Sequence, residues 1–167
     1  MLNYTSIVNI PAYDAFNNGL VIEFQLTAIS RGDFLINATG TVAAALQRNL
    51  KRIIEIMSSI KKSWGCLESM GYLFECTSNQ FVVKDSKSSS MALSIALINL
   101  YRAIHGQAQV LGLSGTGILR IDGSFDSSHL VEEKYFATKQ NLKNLNKFIT
   151  PNESKNLFEL ENLINQL

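Results

Sequence analysis

"GLVIEFQLTAISRGDFLINATGTVAAALQRNLKRIIEIMSSIKKS", residues 19–63, changes its hydrophobic period once, and that change sets the fold class. Residues 19–30 are rich in β-branched and aromatic side chains with partial alternation, the pattern of a half-buried strand. "RGD" (31–33) supplies a turn and "FLINATG" (34–40) a second strand, so an N-terminal hairpin is expected. The same tripeptide reads as turn chemistry rather than an adhesion motif, because nothing else suggests an extracellular protein. From residue 39 to 63 the period becomes helical. Val42, Leu46, Leu50, Ile53, Met57 and Ile60 recur at three- and four-residue steps, while Arg48, Lys51, Arg52 and Glu55 fill the opposite face. Thr39 or Thr41 is the expected cap.

Outward from that stretch, "GYLFECT" (71–77) reads as a strand and the segment after it as extended chain or loop. Residues 88–105 form a second helix, apolar nearly all round and therefore buried on most sides, which Gly106 stops. "QAQVLGLSGTGILRI" (107–121) is a strand entering a glycine-bearing turn, and "DGSFDSS" is a polar loop. A third helix is expected over about 130–145, then a short strand at "KFIT" before Pro151. The tail "ESKNLFELENLINQL" repeats leucine and isoleucine at helical spacing behind a Ser154 cap. The order indicates a mixed α/β or α+β fold, with helices packed on a mixed sheet. Only two prolines and no low-complexity linker are present, so one domain over 1–167 is expected, with 152–167 as its C-terminal helix.

Composition narrows the function classes. A hydrophobic share of 46% is too high for disorder, and a net charge of +1 gives no electrostatic reason to expect nucleic acid or an acidic membrane as partner. Cys66 and Cys76 are too few for a disulfide framework and have no metal-ligand spacing; Cys76 is read as a small core residue. The N-terminal residues show no secretory pattern. The longest apolar stretch, 91–104, is interrupted by Asn99 and Arg102 and is too short to span a bilayer. A cytoplasmic protein with no cofactor and no metal is the expectation.

The chemistry concentrates at "KDSKSSSMALSIAL" (84–97), where Ser88, Ser89 and Ser90 stand at the mouth of the buried helix. Two readings compete. Serine is a good helix cap, or one hydroxyl is a nucleophile held at a positive helix end. Three segments together resemble the proteolytic domain of Lon, a Ser-Lys dyad protease with the ribosomal protein S5 domain 2-like fold. The first is residues 19–50. The second, "KDSKSSS", aligns without gaps with the family pattern K-D-G-P-S-A-G. The third, "LSGTGILR", resembles M-T-G-E-I-T-L-R and is followed by "EKYFATKQNLKNLNKFITP".

The resemblance, running from about Ile7 to Pro151, implies Ser88 as nucleophile and Asp85 as the family's aspartate. Counting back from Pro151 through an ungapped helix and strand puts Lys134 on the catalytic lysine. Ser114 matches the family's threonine, which implies a hydrogen bond to the lysine, and a plain strand-end hydroxyl is an equal reading; with Asp85 and Ser89 it forms the supporting set. The chain departs from the family where Ser86 and Lys87 replace glycine and proline, and where Ser89 and Ser90 replace alanine and glycine. Thr116 stands for a glutamate, and Val131 and Glu132 stand for paired glycines.

The dyad has its own physical requirements. A serine hydroxyl needs a neighbouring base. A lysine serves only when neutral, which means lowering its pKa from about 10.4 to near 7–8. The opposing free energy of about 4 kcal/mol is within what burial supplies. The pocket is expected from helix 88–105 with Leu130, Val131, Tyr135 and Phe136, while Asp85, Glu132 or Glu133 nearby would oppose neutralisation. Unpaired N–H groups at the first turn would hold the oxyanion. Lys87 is a poor base because adjacent side chains diverge. His105 and His129 are not expected to be catalytic, and Trp64 belongs to the core.

The expected function is therefore a Lon-like serine endopeptidase acting on peptide or protein substrates. No G-x-x-x-x-G-K-[ST] occurs, so an ATPase would be a separate partner. The resemblance also implies a ring-shaped homo-oligomer. The alternative is a catalytically inactive Lon-like domain serving as an assembly or protein-binding module. A kinase of the GHMP type ranks below both, since "KDSKSSSM" lacks the glycines a phosphate loop needs.

Overall fold

Alternation along the first residues builds the longest ladder of the molecule. The computed structural model describes residues 2–30, 33–38, 42, 44–77 and 87–167. β1 (Asn3–Tyr13) turns Ser6, Val8 and Ile10 inward and Thr5 and Ile7 outward. It pairs antiparallel with β2 (Gly19–Ser30) over its full length, with Val8 opposite Phe24 and Ile10 opposite Ile22. The connection is stitched by Asp14, whose Oδ1 accepts from the N–H groups of Phe16 (2.8 Å) and Asn18 (3.0 Å). The Asn18 backbone contact, the larger, and that of Phe16 hold the Asp14 carboxyl below its usual range against partial desolvation.

The N-terminal hairpin is thus β1–β2, not the expected pairing of 19–30 with 34–40. β3 (Leu35–Ala38) pairs in parallel with β4 (Met70–Cys76), and β4 in turn occupies the second edge of β2. The four-stranded order is β1-β2-β4-β3. The physical reason is length: β1 offers β2 eleven residues of matched alternation, whereas β3 has four residues with Leu35 exposed. A parallel return needs a crossover, which α1 (Ala44–Ile60) supplies. Pro11 is tolerated because β1 is an edge strand of this sheet.

The core lies where Ile22, Phe24, Leu26, Tyr72 and Phe74 meet α1 and α2 (Ser90–Ile104). Leu46, Leu50, Ile53 and Met57 of α1 are buried as the helical period requires. All residues from Ser90 to Leu100 of α2 are buried, as its all-round apolarity implies. Gly106 (φ +73°) ends α2: its N–H reaches Ala103 O and the Gln107 N–H reaches Arg102 O, the paired bonds of a left-handed helix stop.

The C-terminal part is assembled from short pieces. β5 (Leu113–Gly115) pairs in parallel with β8 (Lys147–Ile149), and β6 (Ile118–Leu119) pairs antiparallel with β7 (Phe125–Asp126). The segment read as a polar loop therefore contains β7. α3 (Val131–Asn141) packs on β1 and β2. α4 (Leu157–Gln166) is capped by Asn156, whose side chain accepts from the Glu159 N–H at 2.9 Å; Ser154 is buried beside it but is not the cap. Buried Trp64 donates to Glu161 of α4 at 2.9 Å and stacks on Phe158. The described residues form a mixed α+β fold, and no helix among them is long and apolar enough to cross a membrane.

Candidate functional site

Ser88 and Ser89 lie in a 3-10 turn, residues 87–89, that leads into α2, and both are buried with Ser90. Two of the three hydroxyls carry structural bonds. Ser90 Oγ donates to Lys87 O at 2.6 Å. The Asn49 amide of α1 donates to Ser89 Oγ (3.1 Å) and Ser90 Oγ (3.2 Å), tying the turn to the neighbouring helix. Ser89 is the N-cap residue by position, yet its backbone is helical and no side-chain cap bond forms. No hydrogen bond engages the Ser88 hydroxyl among the described residues.

Lys134 sits on the inward stripe of α3 with Ala137 and Thr138. Its relative exposure is 0%, so water does not reach it, whereas Glu132 and Glu133 lie on the exposed face. The amine donates to Thr116 Oγ1 at 3.4 Å and stands 5.5 Å from the ring centre of Tyr13. Tyr135 and Phe136, expected as pocket walls, are 37% and 57% exposed and face away. Helical spacing explains this: residues one and two positions from an inward residue cannot share its face.

Thr116 and Gly117 link the two residues. The Gly117 N–H donates to Ser88 O (3.3 Å), and the Met91 N–H of α2 donates to Gly117 O (3.2 Å). Thr116 Oγ1 meets both Lys134 Nζ and Ser128 Oγ, the latter at 2.6 Å. The serine turn and the lysine amine therefore contact successive residues of one connection between β5 and β6. Glycine is needed on its first flank: a Cβ at Gly115 would lie 2.3 Å from Ile149 O and 2.9 Å from Met91 Cγ. Because Met91 N–H is spent on Gly117, it is not among the donors left for an oxyanion.

Ser114 does not bond the lysine. Its hydroxyl donates to Asn9 O at 2.7 Å and pins β5 to β1, the strand-end role that stood beside the lysine contact, and Thr116 meets the lysine instead. Asp85 lies outside the described residues, as do Thr39, Thr41 and residues 78–86 as a whole. Asn49, Thr116 and Tyr13 were not singled out from the sequence as contributors. A polar Asn49 beside Leu46, Leu50 and Ile53 on the apolar stripe, and a threonine between two glycines, were the available signals.

Among the described residues, no group of three histidine, cysteine, aspartate or glutamate side chains gathers as a metal site. His105 ends α2 with a ring nitrogen 2.8 Å from Tyr101 O. Burial raises the Cys66 thiol above its ordinary value. No protein-family model matches the chain, and no curated protein matches its sequence.

Proposed function

We propose that the chain is a Lon-like Ser-Lys peptidase that hydrolyses peptide bonds with Ser88 as nucleophile and Lys134 as general base. The observation that carries this reading is the fully buried Lys134 amine meeting Thr116, next to the Gly117 that binds the Ser88 backbone, while the Ser88 hydroxyl remains unengaged among the described residues. A buried amine has few ordinary structural uses, and the outward faces of α3 offered solvent at lower cost.

In the proposed reaction, neutral Lys134 Nζ takes the Ser88 hydroxyl proton as Oγ bonds to the scissile carbonyl carbon. The tetrahedral intermediate expels the amine, which receives that proton from Lys134, leaving an acyl ester on Ser88. Water then attacks the ester, giving one proton to Lys134; collapse releases the carboxylic acid and returns the proton to Ser88 Oγ. A homo-oligomeric ring belongs to the same proposal.

The test is cleavage of a broad peptide library by purified protein. Slow hydrolysis is expected, abolished by Ser88→Ala and by Lys134→Ala, with a thermal shift on adding a peptidyl boronate. A second reading, an inactive assembly or binding module, is favoured by the amine contacting Thr116 where a primed dyad would contact Ser88. Absence of both cleavage and boronate response selects that module.

A further inference from the structure

β8 leaves one of its edges open beside α3. Lys147 and Ile149 turn their peptide groups to β5: the Lys147 N–H donates to Gly112 O (3.3 Å), and Ile149 O accepts from the Thr116 N–H (3.0 Å). Successive residues of a strand present their peptide groups to opposite edges, so the N–H and C=O of Phe148 point away from β5. Among the described residues no further strand joins β5 and β8. Just beyond, the Thr150 N–H is taken by Glu153 Oε2 at 2.8 Å, which closes that end of the edge. A groove of about 750 Å³ runs between the open edge and the outer flank of α3. Tyr135 forms its floor, with its ring edge-on to Phe148 at 5.5 Å between centres, and Val131 and Leu142 extend that apolar surface.

Charge is sorted along this groove. The short connection 142–146 sets the end of α3 beside the start of β8, which gathers Lys139, Lys143 and Lys147 at one end. Glu132 in the first turn of α3 and Glu153 after β8 stand at the other. The three lysines take part in no salt bridge among the described residues, whereas Glu153 is bound to both the N–H and the hydroxyl of Thr150. We infer that the groove docks an extended segment of a partner protein, added as an antiparallel strand to the edge of β8, with acidic residues at the segment's C-terminal end. One residue of such a strand satisfies both Phe148 groups at once, the narrow pair of an antiparallel ladder. Its neighbouring side chain lies on Tyr135. The direction follows from the charges: β8 runs from the lysine end to the glutamate end, so a strand running the opposite way brings its later residues to the lysines. The inference is independent of the peptidase reading, since Lys134 faces the other side of α3.

The experiment titrates full-length protein into two fluorescein-labelled peptides of identical composition and follows fluorescence polarisation. One carries lysines at its N-terminal end, valine and threonine in the middle and glutamates at its C-terminal end; the other has the charge order reversed. The first is expected to bind about tenfold more tightly, with an advantage that shrinks as salt rises. N-methylation of one central amide should weaken it about tenfold by blocking the bond to Phe148 O. Lys143→Glu should erase the preference for charge order without altering the melting temperature. Equal affinity of the two peptides, a preference that survives Lys143→Glu, or indifference to N-methylation at every central position overturns the proposal. Displacement by an equal concentration of a short oligothymidylate does so as well, by marking a general anion surface. Ser88→Ala protein should bind the peptide as the wild type does; loss of binding there would move the peptide to the serine turn and sink the docking site. Tight binding without any cleavage leaves the docking site standing and counts only against the peptidase.

Discussion

Gly19→Ala isolates the packing that positions the lysine. A Cβ at Gly19 would lie 2.3 Å from Glu133 O, 2.8 Å from Glu133 C and 3.0 Å from Ala137 Cβ. The obstructing atoms are helix backbone, not the tip of a flexible side chain, so α3 must move by about 1 Å to restore van der Waals distance. Overpacking of this kind costs about 1–3 kcal/mol. The smaller unfolded-state entropy of alanine returns about 0.4–1 kcal/mol, for a net loss of about 1–2 kcal/mol. Gly65 provides the control, since no atom lies within 4 Å of the same added methyl; Gly65→Ala is expected to be neutral or stabilising by less than about 1 kcal/mol. Both are read by urea denaturation. Because Lys134 directly follows Glu133, the shift in α3 should also lower kcat of the proposed hydrolysis by about 100-fold. A Gly19→Ala protein as stable as Gly65→Ala would refute the packing argument. Normal kcat despite lost stability would show that the reaction does not depend on α3.

Other perturbations test neighbouring parts. Asn99 bridges α2 to the chain before β5, donating to Val110 O (3.0 Å) and accepting from Val110 N–H (2.9 Å). Asn99→Ala should cost about 2 kcal/mol by orphaning both groups, seen in calorimetry as a Tm lowered by roughly 4–8 °C. Burial, with smaller like-charge contributions from Cys66 and Glu68, raises the Tyr72 phenol well above its ordinary value, and its hydroxyl donates to Leu67 O at 2.6 Å. Above about pH 10 the unfolded chain loses this proton while the folded chain keeps it, so stability should fall as pH rises. Tyr72→Phe should flatten that alkaline slope in pH-dependent urea titrations; an unchanged slope would assign it to other groups. Gly115→Ala should abolish hydrolysis and lower stability, because the added methyl meets Ile149 O and Met91 together.

Periodicity made some elements legible and topology obscured others. β2 and the interior of α1 announce themselves because twelve residues of strand pattern and four helical turns of stripe leave few alternatives. β1 is harder to read, because Ser6 and Pro11 break the apolar alternation of Val8 and Ile10, and without it β2 has 34–40 as its nearest candidate partner in the sequence. Strand pairing is non-local, so nothing within "RGD" reveals that β4, reached in the chain only after α1, lies between β2 and β3 in the sheet. β6 and β7 span two residues each, below the length at which period carries information. At the candidate site, the burial of Lys134 follows from its place with Ala137 and Thr138 on one helical stripe. The identity of its partner depends on the turn between β5 and β6, which aims Thr116 at the amine and leaves Ser114 on Asn9 O, and two hydroxyls two residues apart do not reveal which faces the lysine.

The most direct measurement is to trap the acyl enzyme. Wild-type protein is mixed with a slowly turned-over peptidyl ester, quenched in acid, digested and mapped by mass spectrometry. The account predicts one acyl group on the peptide containing Ser88, absent from Ser88→Ala and strongly reduced in Lys134→Met. An acyl group that persists at the same level in Ser88→Ala, or no Ser88 adduct in protein that hydrolyses the ester, would contradict it.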